Sequence, residues 1–333
     1  MQRPASLHHS MFGLVAVCLA LLTGCTQPQT GNDAAAKVSI RLKWLVQTQS
    51  AGELLAVAKG YCTQERLECD VQAGGPDFDA IKLVASGVDQ YGVTSADQLL
   101  IARAKGVPVV AIGALFHESP VVFFSKADTP LRSPADLAGR TVGVKHGTNA
   151  ETEYRVLLRR ANVDPSSITE VPAKFDLTPF LTGAVDVWPG IESNEPLTAE
   201  EKGVKVSVLR SRDHGISMYS NVYFTTEERV NARPDEVRRF IKAMRAGWQY
   251  AADHPEEAVD VVLAANPALD RVHEGKALEL TLPLVFPDGA DSFGAMTEHK
   301  WAATMAVLRD GGILTADIDL SKAYWQTDAA PPQ

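Results

Sequence analysis

The chain has 333 residues, with 32 Lys and Arg against 41 Asp and Glu, a formal net charge of −9. An acidic balance without clustered cations excludes nucleic acid as the partner, because phosphates need grouped Lys and Arg. Beyond the first 24 residues no segment reaches membrane-spanning length without charges, and the remaining ~300 residues suffice for two domains of ordinary size.

In chain order, Arg3, His8 and His9 precede an apolar run over residues 11–22, which ends in Leu22-Thr23-Gly24-Cys25. A short cationic segment, a short apolar core and a small-residue exit form the pattern of a secretory signal. The Leu-Thr-Gly-Cys end resembles a bacterial lipobox, which implies cleavage before Cys25 and lipid on its sulfur. The alternative is an ordinary signal with a chance cysteine. Residues 1–24 are thus expected as signal and 25–36 as a polar tether. Their removal takes away Arg3 and no acid, leaving 31 basic and 41 acidic residues. Once Cys18 leaves with the signal and Cys25 carries lipid, Cys62 and Cys69 remain. An exported chain permits a disulfide between them, with two separate buried thiols as the alternative. No His or further Cys stands at ligand spacing, so no metal is expected.

Residues 37–44 alternate, with Val38, Ile40, Leu42 and Trp44 on one face, and read as a strand. A helix is expected over 51–61, a strand over 69–73 and a helix over 77–86 closed by Gly87. A strand over 90–94, a helix over 96–105 and an apolar strand over 107–115 follow. The pattern restarts with a short helix at Ser133-Pro134-Ala135-Asp136. It continues with strands over 141–145, 168–172, 185–188 and 204–209, and helices over 149–161 and 177–182. Helices over 234–254, 256–265, 272–282 and 298–310 complete the chain. Alternating strands and helices imply a parallel-rich α/β sheet covered on both faces. Residues 121–125 and 221–226 bracket the second unit and read as paired crossover strands. The expected division is 37–120 with 226–327 as one lobe and 121–225 as the other.

The two units echo one another. Ser86-Gly87-Val88-Asp89 leads into a strand, with Ser95 six residues after Asp89; Thr182-Gly183-Ala184-Val185-Asp186 does the same, with Glu192 six residues after Asp186. Ligands in open α/β sheets bind beyond the carboxyl ends of the strands. Two such lobes joined by two strands form a cleft able to close by hinge motion.

Several ordered motifs carry a family resemblance. They are Arg41-Leu42-Lys43-Trp44, Gln47-Thr48-Gln49-Ser50-Ala51-Gly52, Ala58-Lys59-Gly60-Tyr61 and Gly74-Gly75-Pro76-Asp77. Ala104-Lys105-Gly106-Val107-Pro108, Ser133-Pro134-Ala135-Asp136-Leu137 and His254-Pro255-Glu256-Glu257-Ala258 continue the series. Together they resemble the superfamily of binding proteins for thiamine-pyrimidine precursors, riboflavin and alkylsulfonates, which also contains a thiamine-pyrimidine synthase. The resemblance implies a type II two-lobed periplasmic-binding-protein fold with two crossover strands. It also implies the role of substrate-binding component of an ABC importer, working with permease and ATPase subunits. On that reading the chain is a monomer on the extracytoplasmic face, without cofactor. A synthase of the family carries a histidine where this chain has Ser50, and a cysteine-rich run where it has Ile216-Ser217-Met218-Tyr219-Ser220; the resemblance to the enzymes stops there.

The candidate site residues suit a flat polar heterocycle. Trp44 and Trp188 offer stacking faces, with core packing as the alternative for Trp44. Gln47 and Gln49 offer donor and acceptor pairs, unless they lie in a solvated loop. Ser95 and Asp97 stand at a strand end, where helix capping is the competing role. Thr148 and Asn149 open a helix whose free N–H groups suit a carbonyl or anion, again against capping. Glu192 and Asn194 would accept from ring N–H or amino groups, unless Glu192 is a surface acid. Tyr219 and His117 flank the crossovers, His117 with the alternative of a plain loop residue.

Overall fold

The computed structural model describes residues 34–174 and 176–326. The signal over 1–24, Cys25 and most of the 25–36 tether lie outside the described residues.

Ten strands are present among the described residues. They are β1 (Ala36–Arg41), β2 (Leu67–Gln72), β3 (Tyr91–Ser95), β4 (Val109–Ala114), β5 (Val121–Lys126), β6 (Thr141–Val144), β7 (Thr169–Pro172), β8 (Val187–Ile191), β9 (Val206–Arg210) and β10 (Asn221–Thr226). They form two five-stranded sheets, ordered β2-β1-β3-β10-β4 and β7-β6-β8-β5-β9. The two orders are the same topology used twice. In each, one strand is delivered from the other half of the chain and inserts antiparallel at the fourth place. β10 runs antiparallel to β3 and β4, and β5 antiparallel to β8 and β9.

This corrects the reading of residues 121–125 and 221–226 as a pair. Both edges of each strand are filled within its own sheet, so the two strands do not bond to each other. The connection between them is made just before them: Ser220 N–H donates to Phe116 O at 3.0 Å, and Phe116 N–H to Asn221 O at 2.9 Å. β10 also belongs wholly to the first sheet, although residues 221–225 were expected in the second lobe.

Alternation sets the layers. Along β10, Tyr223 points into one core and Val222 and Phe224 into another. Along β5, Phe123 and the pair Val122 and Phe124 divide in the same way. Each sheet is therefore apolar on both faces, as a sheet covered twice by helices requires.

The first half of the chain supplies helices α1 (Ala51–Ala58), α2 (Tyr61–Gln64), α3 (Ala80–Ala85) and α4 (Ala96–Ala104). The helix expected over 51–61 is broken because Gly60 adopts a left-handed φ of 72°. The middle supplies α5 (Asn149–Arg160), α6 (Thr178–Leu181) and α7 (Glu195–Glu201). The last third is helical: α8 (Glu227–Ala232), α9 (Pro234–Asp253), α10 (Pro255–Ala265), α11 (Arg271–Val285) and α12 (Glu298–Asp310).

α9 opens with Pro234, Asp235 and Glu236, a proline and two acids suited to a helix start. Its buried face carries Val237, Phe240, Ile241, Met244 and Trp248 at three- and four-residue spacing. It crosses α1 at close range. A Cβ on Gly247 would sit 2.0 Å from Gly52 O, and one on Gly52 would sit 2.1 Å from the Trp248 ring. Only two glycines permit that approach. A disulfide joins Cys62 of α2 to Cys69 of β2, with Cα atoms 6.0 Å apart. Among the described residues no helix is long and apolar enough to cross a membrane.

Candidate functional site

The loop after β1 forms one wall of the cleft. Thr48 N–H donates to Glu274 Oε2 at 2.8 Å, and the Thr48 hydroxyl to Glu274 O at 3.1 Å. Asn266 Nδ2 holds Val46 O at 3.0 Å. α10 and α11 thus fix a segment that has no ladder of its own. Gly74 closes behind it, since a Cβ there would meet Leu42 O at 2.0 Å. The pocket so formed has a volume of about 20 Å³ and is lined by Lys43, Trp44, Gln49, Glu53 and Asn221, among others. That is room for a water and not for a ring.

Lys43 stands at the centre. Its Nζ donates to Asn221 Oδ1 at 3.0 Å in the first lobe and to Asn149 Oδ1 at 3.2 Å in the second. Burial holds its amine below the ordinary lysine range, against the opposing fields of Asp97 and Glu153. Glu153, fully buried on α5, accepts from Ser119 Oγ at 2.6 Å. Burial raises its carboxyl to about 7, aided by Asp97 and opposed by the hydroxyls of Ser119 and Ser211 and by Lys43. Glu53, fully buried on α1, accepts from Tyr223 OH at 2.8 Å. Burial raises it to about 7 as well, opposed by the Tyr223 and Trp248 donors and its own backbone N–H.

Buried side-chain atoms without a hydrogen-bond partner gather here: Glu53 Oε2, Ser95 Oγ, Asp97 Oδ1, Asn149 Nδ2, Glu153 Oε2 and Ser220 Oγ. Each such atom costs about 1–3 kcal/mol. A folded protein does not collect them in one place without a use for them, and a ligand's polar edge is such a use.

Of the residues expected in the site, Trp44, Gln49, Ser95, Asp97 and Asn149 come together around Lys43. Ser95 faces Asn221 across the β3–β10 ladder. It precedes α4 but makes no side-chain cap bond, and Asp97 spends only Oδ2, on Gln98. Trp44 does not end the first strand, which stops at Arg41 where the chain turns; it sits in the loop instead. Gln47 contributes its carbonyl, which accepts from the Ser50 N–H at 2.9 Å and the Ser50 hydroxyl at 2.8 Å.

The remaining residues lie elsewhere or are already engaged. Trp188 is 2 % exposed and packs with Phe124 and Phe180 in the core of the second sheet. Glu192 accepts from Arg210 Nε at 2.5 Å and Arg212 Nη2 at 2.7 Å, so its charge is matched by two guanidinium groups. Asn194 precedes α7 without a side-chain cap. Thr148 donates to Lys145 O at 2.7 Å, and Gly147 N–H donates to Glu151 Oε2 at 2.8 Å. The chain's own carboxylate therefore holds a donor expected to serve an anion. Tyr219 OH accepts from Thr297 N–H at 3.0 Å and its ring lies 5.6 Å from Trp301, so it is pinned to the C-terminal segment. His117 meets Tyr219 edge-on at 5.7 Å. Burial, then Lys300, pushes its imidazole down to about 4, with Asp288 and the Ser292 backbone opposing.

Lys43, Glu53, Glu153 and Asn221 were not foreseen. The signal for Glu153 was its place four residues after Asn149, on the same helix face. The signal for Glu53 was a lone acid inside Ala51-Gly52-Glu53-Leu54-Leu55-Ala56. The echoed aspartates prove to be fasteners: Asp89 pairs with Arg41 at 2.8 Å, and Asp186 accepts from Thr141 N–H at 2.8 Å.

Among known proteins, the chain is 28% identical over 332 residues to the riboflavin-binding protein RibY of Chloroflexus aurantiacus, covering 92% of this chain and 93% of that one. It is 25% identical to a formylaminopyrimidine-binding protein of Halalkalibacterium halodurans, over 89% of this chain and 93% of the relative. It is 24% identical to a 4-amino-5-hydroxymethyl-2-methylpyrimidine phosphate synthase of Legionella pneumophila, over 74% and 79%. The fold matches the periplasmic aliphatic sulphonate binding protein SsuA of Escherichia coli with a TM-score of 0.71 at 15% identity, over 87% of this chain and 92% of the other. The architecture is that of a periplasmic binding protein. Residues 47–258 match the model of the family described as NMT1/THI5 like, and the chain belongs to that family.

Proposed function

We propose that the protein is the extracytoplasmic substrate-binding component of an ABC importer, capturing an aminopyrimidine precursor of thiamine between its lobes. The observation that carries this reading is the group of unpartnered buried atoms around Lys43, most of them carboxyl or hydroxyl oxygens. Such a set asks for a ligand rich in N–H donors, while Lys43 and Asn149 Nδ2 supply donors to ring nitrogens or a carbonyl. An aminopyrimidine meets both demands. A sulfonate brings only acceptors and a fixed negative charge, and would face Asp97 and Glu153 at close quarters. The relatives that bind formylaminopyrimidine and riboflavin by name support a heterocycle. A flavin is the second reading, favoured by the riboflavin-binding relative's match along nearly the whole chain.

An enzyme would need a reacting group at the cleft. Ser50 stands where the synthases carry histidine, and its hydroxyl is spent on Gln47 O at 2.8 Å. Anchoring through lipid on Cys25, action as a monomer and delivery to a permease and its ATPase belong to the same proposal.

Native mass spectrometry of the purified protein, followed by calorimetry with aminopyrimidines, flavins and alkylsulfonates, tests the reading. Binding of an aminopyrimidine is expected, and Glu153→Gln should weaken it by ~1.5–3 kcal/mol, about tenfold to a hundredfold. Tight sulfonate binding improved by Glu153→Gln overturns it.

A further inference from the structure

Three buried side chains form a one-way hydrogen-bond relay behind the pocket. Trp248 Nε1 donates to Tyr223 OH at 3.0 Å, and Tyr223 OH donates to Glu53 Oε1 at 2.8 Å. Only this direction gives both the indole and the phenol proton an acceptor. An indole N–H can only donate, so the phenol oxygen accepts from Trp248 and has its single proton left for Glu53. Oε1 is therefore the acceptor end of the carboxyl. Oε2 is buried, has no partner and belongs to a residue that lines the pocket beside Lys43, Gln49 and Asn221.

We infer that Glu53 is a specificity-determining residue that carries its proton on Oε2 and donates it to an acceptor nitrogen on the ligand's ring. The inference rests on the heterocycle reading of the cleft and names the group that reads one ring edge. The relay cannot swivel. α1 and α9 touch at Gly52 and Gly247, and the Trp248 ring lies where a Gly52 side chain would be. The groups facing Glu53 are Tyr223 from β10, Trp248 from α9, and Lys43, Gln49 and Asn221 around the pocket; Lys43 is the one charged member. Its amine is engaged by Asn149 and Asn221 and forms no ion pair with Glu53. A fully buried carboxyl whose donors are all neutral and that has no cation bonded to it favours its protonated form, in line with its rise to about 7.

A neutral acid at this point distinguishes ligands. A ring nitrogen with a free lone pair completes Oε2, while an N-alkylated ring leaves the proton unpaired and adds a clash. Rejection of a ligand that leaves a buried polar group unmatched is strong.

The test uses the full chain and its Glu53→Gln and Tyr223→Phe variants. First, infrared difference spectra across pH are recorded without ligand. Glu53 and Glu153 should each give a protonated-carboxyl band titrating near neutrality; one of the two should vanish in Glu53→Gln, and the midpoint of that same band should rise in Tyr223→Phe, which removes the donor to Oε1. Second, calorimetry compares 4-aminopyrimidine with its N-methylpyrimidinium salt. The wild type should prefer the first at least tenfold. Glu53→Gln, whose amide N–H₂ takes the place of the protonated Oε2, should keep that preference but lose the decline in affinity above neutral pH. Persistence of the full band set in Glu53→Gln, or an unchanged pH profile, overturns the inference. If the band disappears while no nitrogen heterocycle binds, the protonated relay stands and both the ring-reading role and the heterocycle reading fall.

Discussion

The two lobes share one topology and treat the same position in opposite ways. β3 and β8 occupy the third place in their sheets; β3 ends in a polar residue, and β8 is followed directly by one, each six positions after a fastening aspartate. In the first lobe that residue is Ser95, fully buried with an unpartnered hydroxyl. In the second it is Glu192, held by Arg210 and Arg212. The candidate site residues of the second lobe, Asn149 and Glu153, sit instead on α5. A polar residue at a strand end thus marks a site only when its own lobe leaves it without a partner. Local ion pairing converts the same position into scaffold.

The sharpest way to break that comparison is the dependence of stability on pH. Glu53 and Glu153 rise from 4.5 to about 7 in the native protein. Between those values the folded chain holds protons that the unfolded chain has released. Stability is therefore greatest below about pH 4.5 as far as these groups go, falls as pH rises towards 7, and is flat above it. Each carboxyl accounts for about 3 kcal/mol at most, from 1.36 kcal/mol per pH unit. Urea unfolding at pH 5 and pH 8 measures the slope, and the Glu53→Gln, Glu153→Gln double variant should flatten it. A slope unchanged in the double variant would mean that these acids are not desolvated.

A second difference between the lobes is covalent. The described residues carry a disulfide in the first lobe, Cys62–Cys69, closing a sequence separation of 7. A loop that short restrains the unfolded chain by about 2.5 kcal/mol. Replacing both cysteines with serine should lower the unfolding free energy by that amount and leave ligand affinity unchanged. Alkylation of the denatured, unreduced protein should find neither thiol free; two free thiols contradict the bond.

The alternation of strands and helices was legible in the sequence because short segments with clear periodicity report on their own surroundings. The placement of β5 and β10 was not, because each bonds to strands distant in the chain. The site was half legible. Trp44, Gln49, Ser95, Asp97 and Asn149 announce themselves as polar or aromatic groups at strand ends and helix starts. Lys43 was set aside as a residue on the polar face of a strand, although the strand ends before it and its amine bridges two asparagines. Glu53 and Glu153 lie inside helices, where an acid reads as solvated. Their burial comes from the opposite wall of the cleft and from α9, which no local pattern reports. Trp188 failed for the converse reason: Gly143 leaves room for its ring, with a Cβ there only 3.1 Å from Trp188 Cε3, and the core takes it in.

The smallest effect is the most discriminating. Glu192→Gln keeps the shape of the residue and removes its carboxyl, as Glu153→Gln does on α5 of the same lobe. The Glu192 carboxylate is bonded to two guanidinium groups, and Arg212 also donates to Ser119 O at 3.1 Å. Its oxygens have no unmet demand to offer a ligand. Loss of its charge leaves Arg210 and Arg212 partly uncompensated near the surface, where solvent screens them and ion pairs are worth ~0–1 kcal/mol. Ligand affinity should change by less than about threefold, against tenfold or more for Glu153→Gln. Titration calorimetry of the two variants with the same aminopyrimidine decides it. Equal losses would return Glu192 to the site and imply that its ion pairs open when ligand enters, so that the two lobes' strand ends act alike after all.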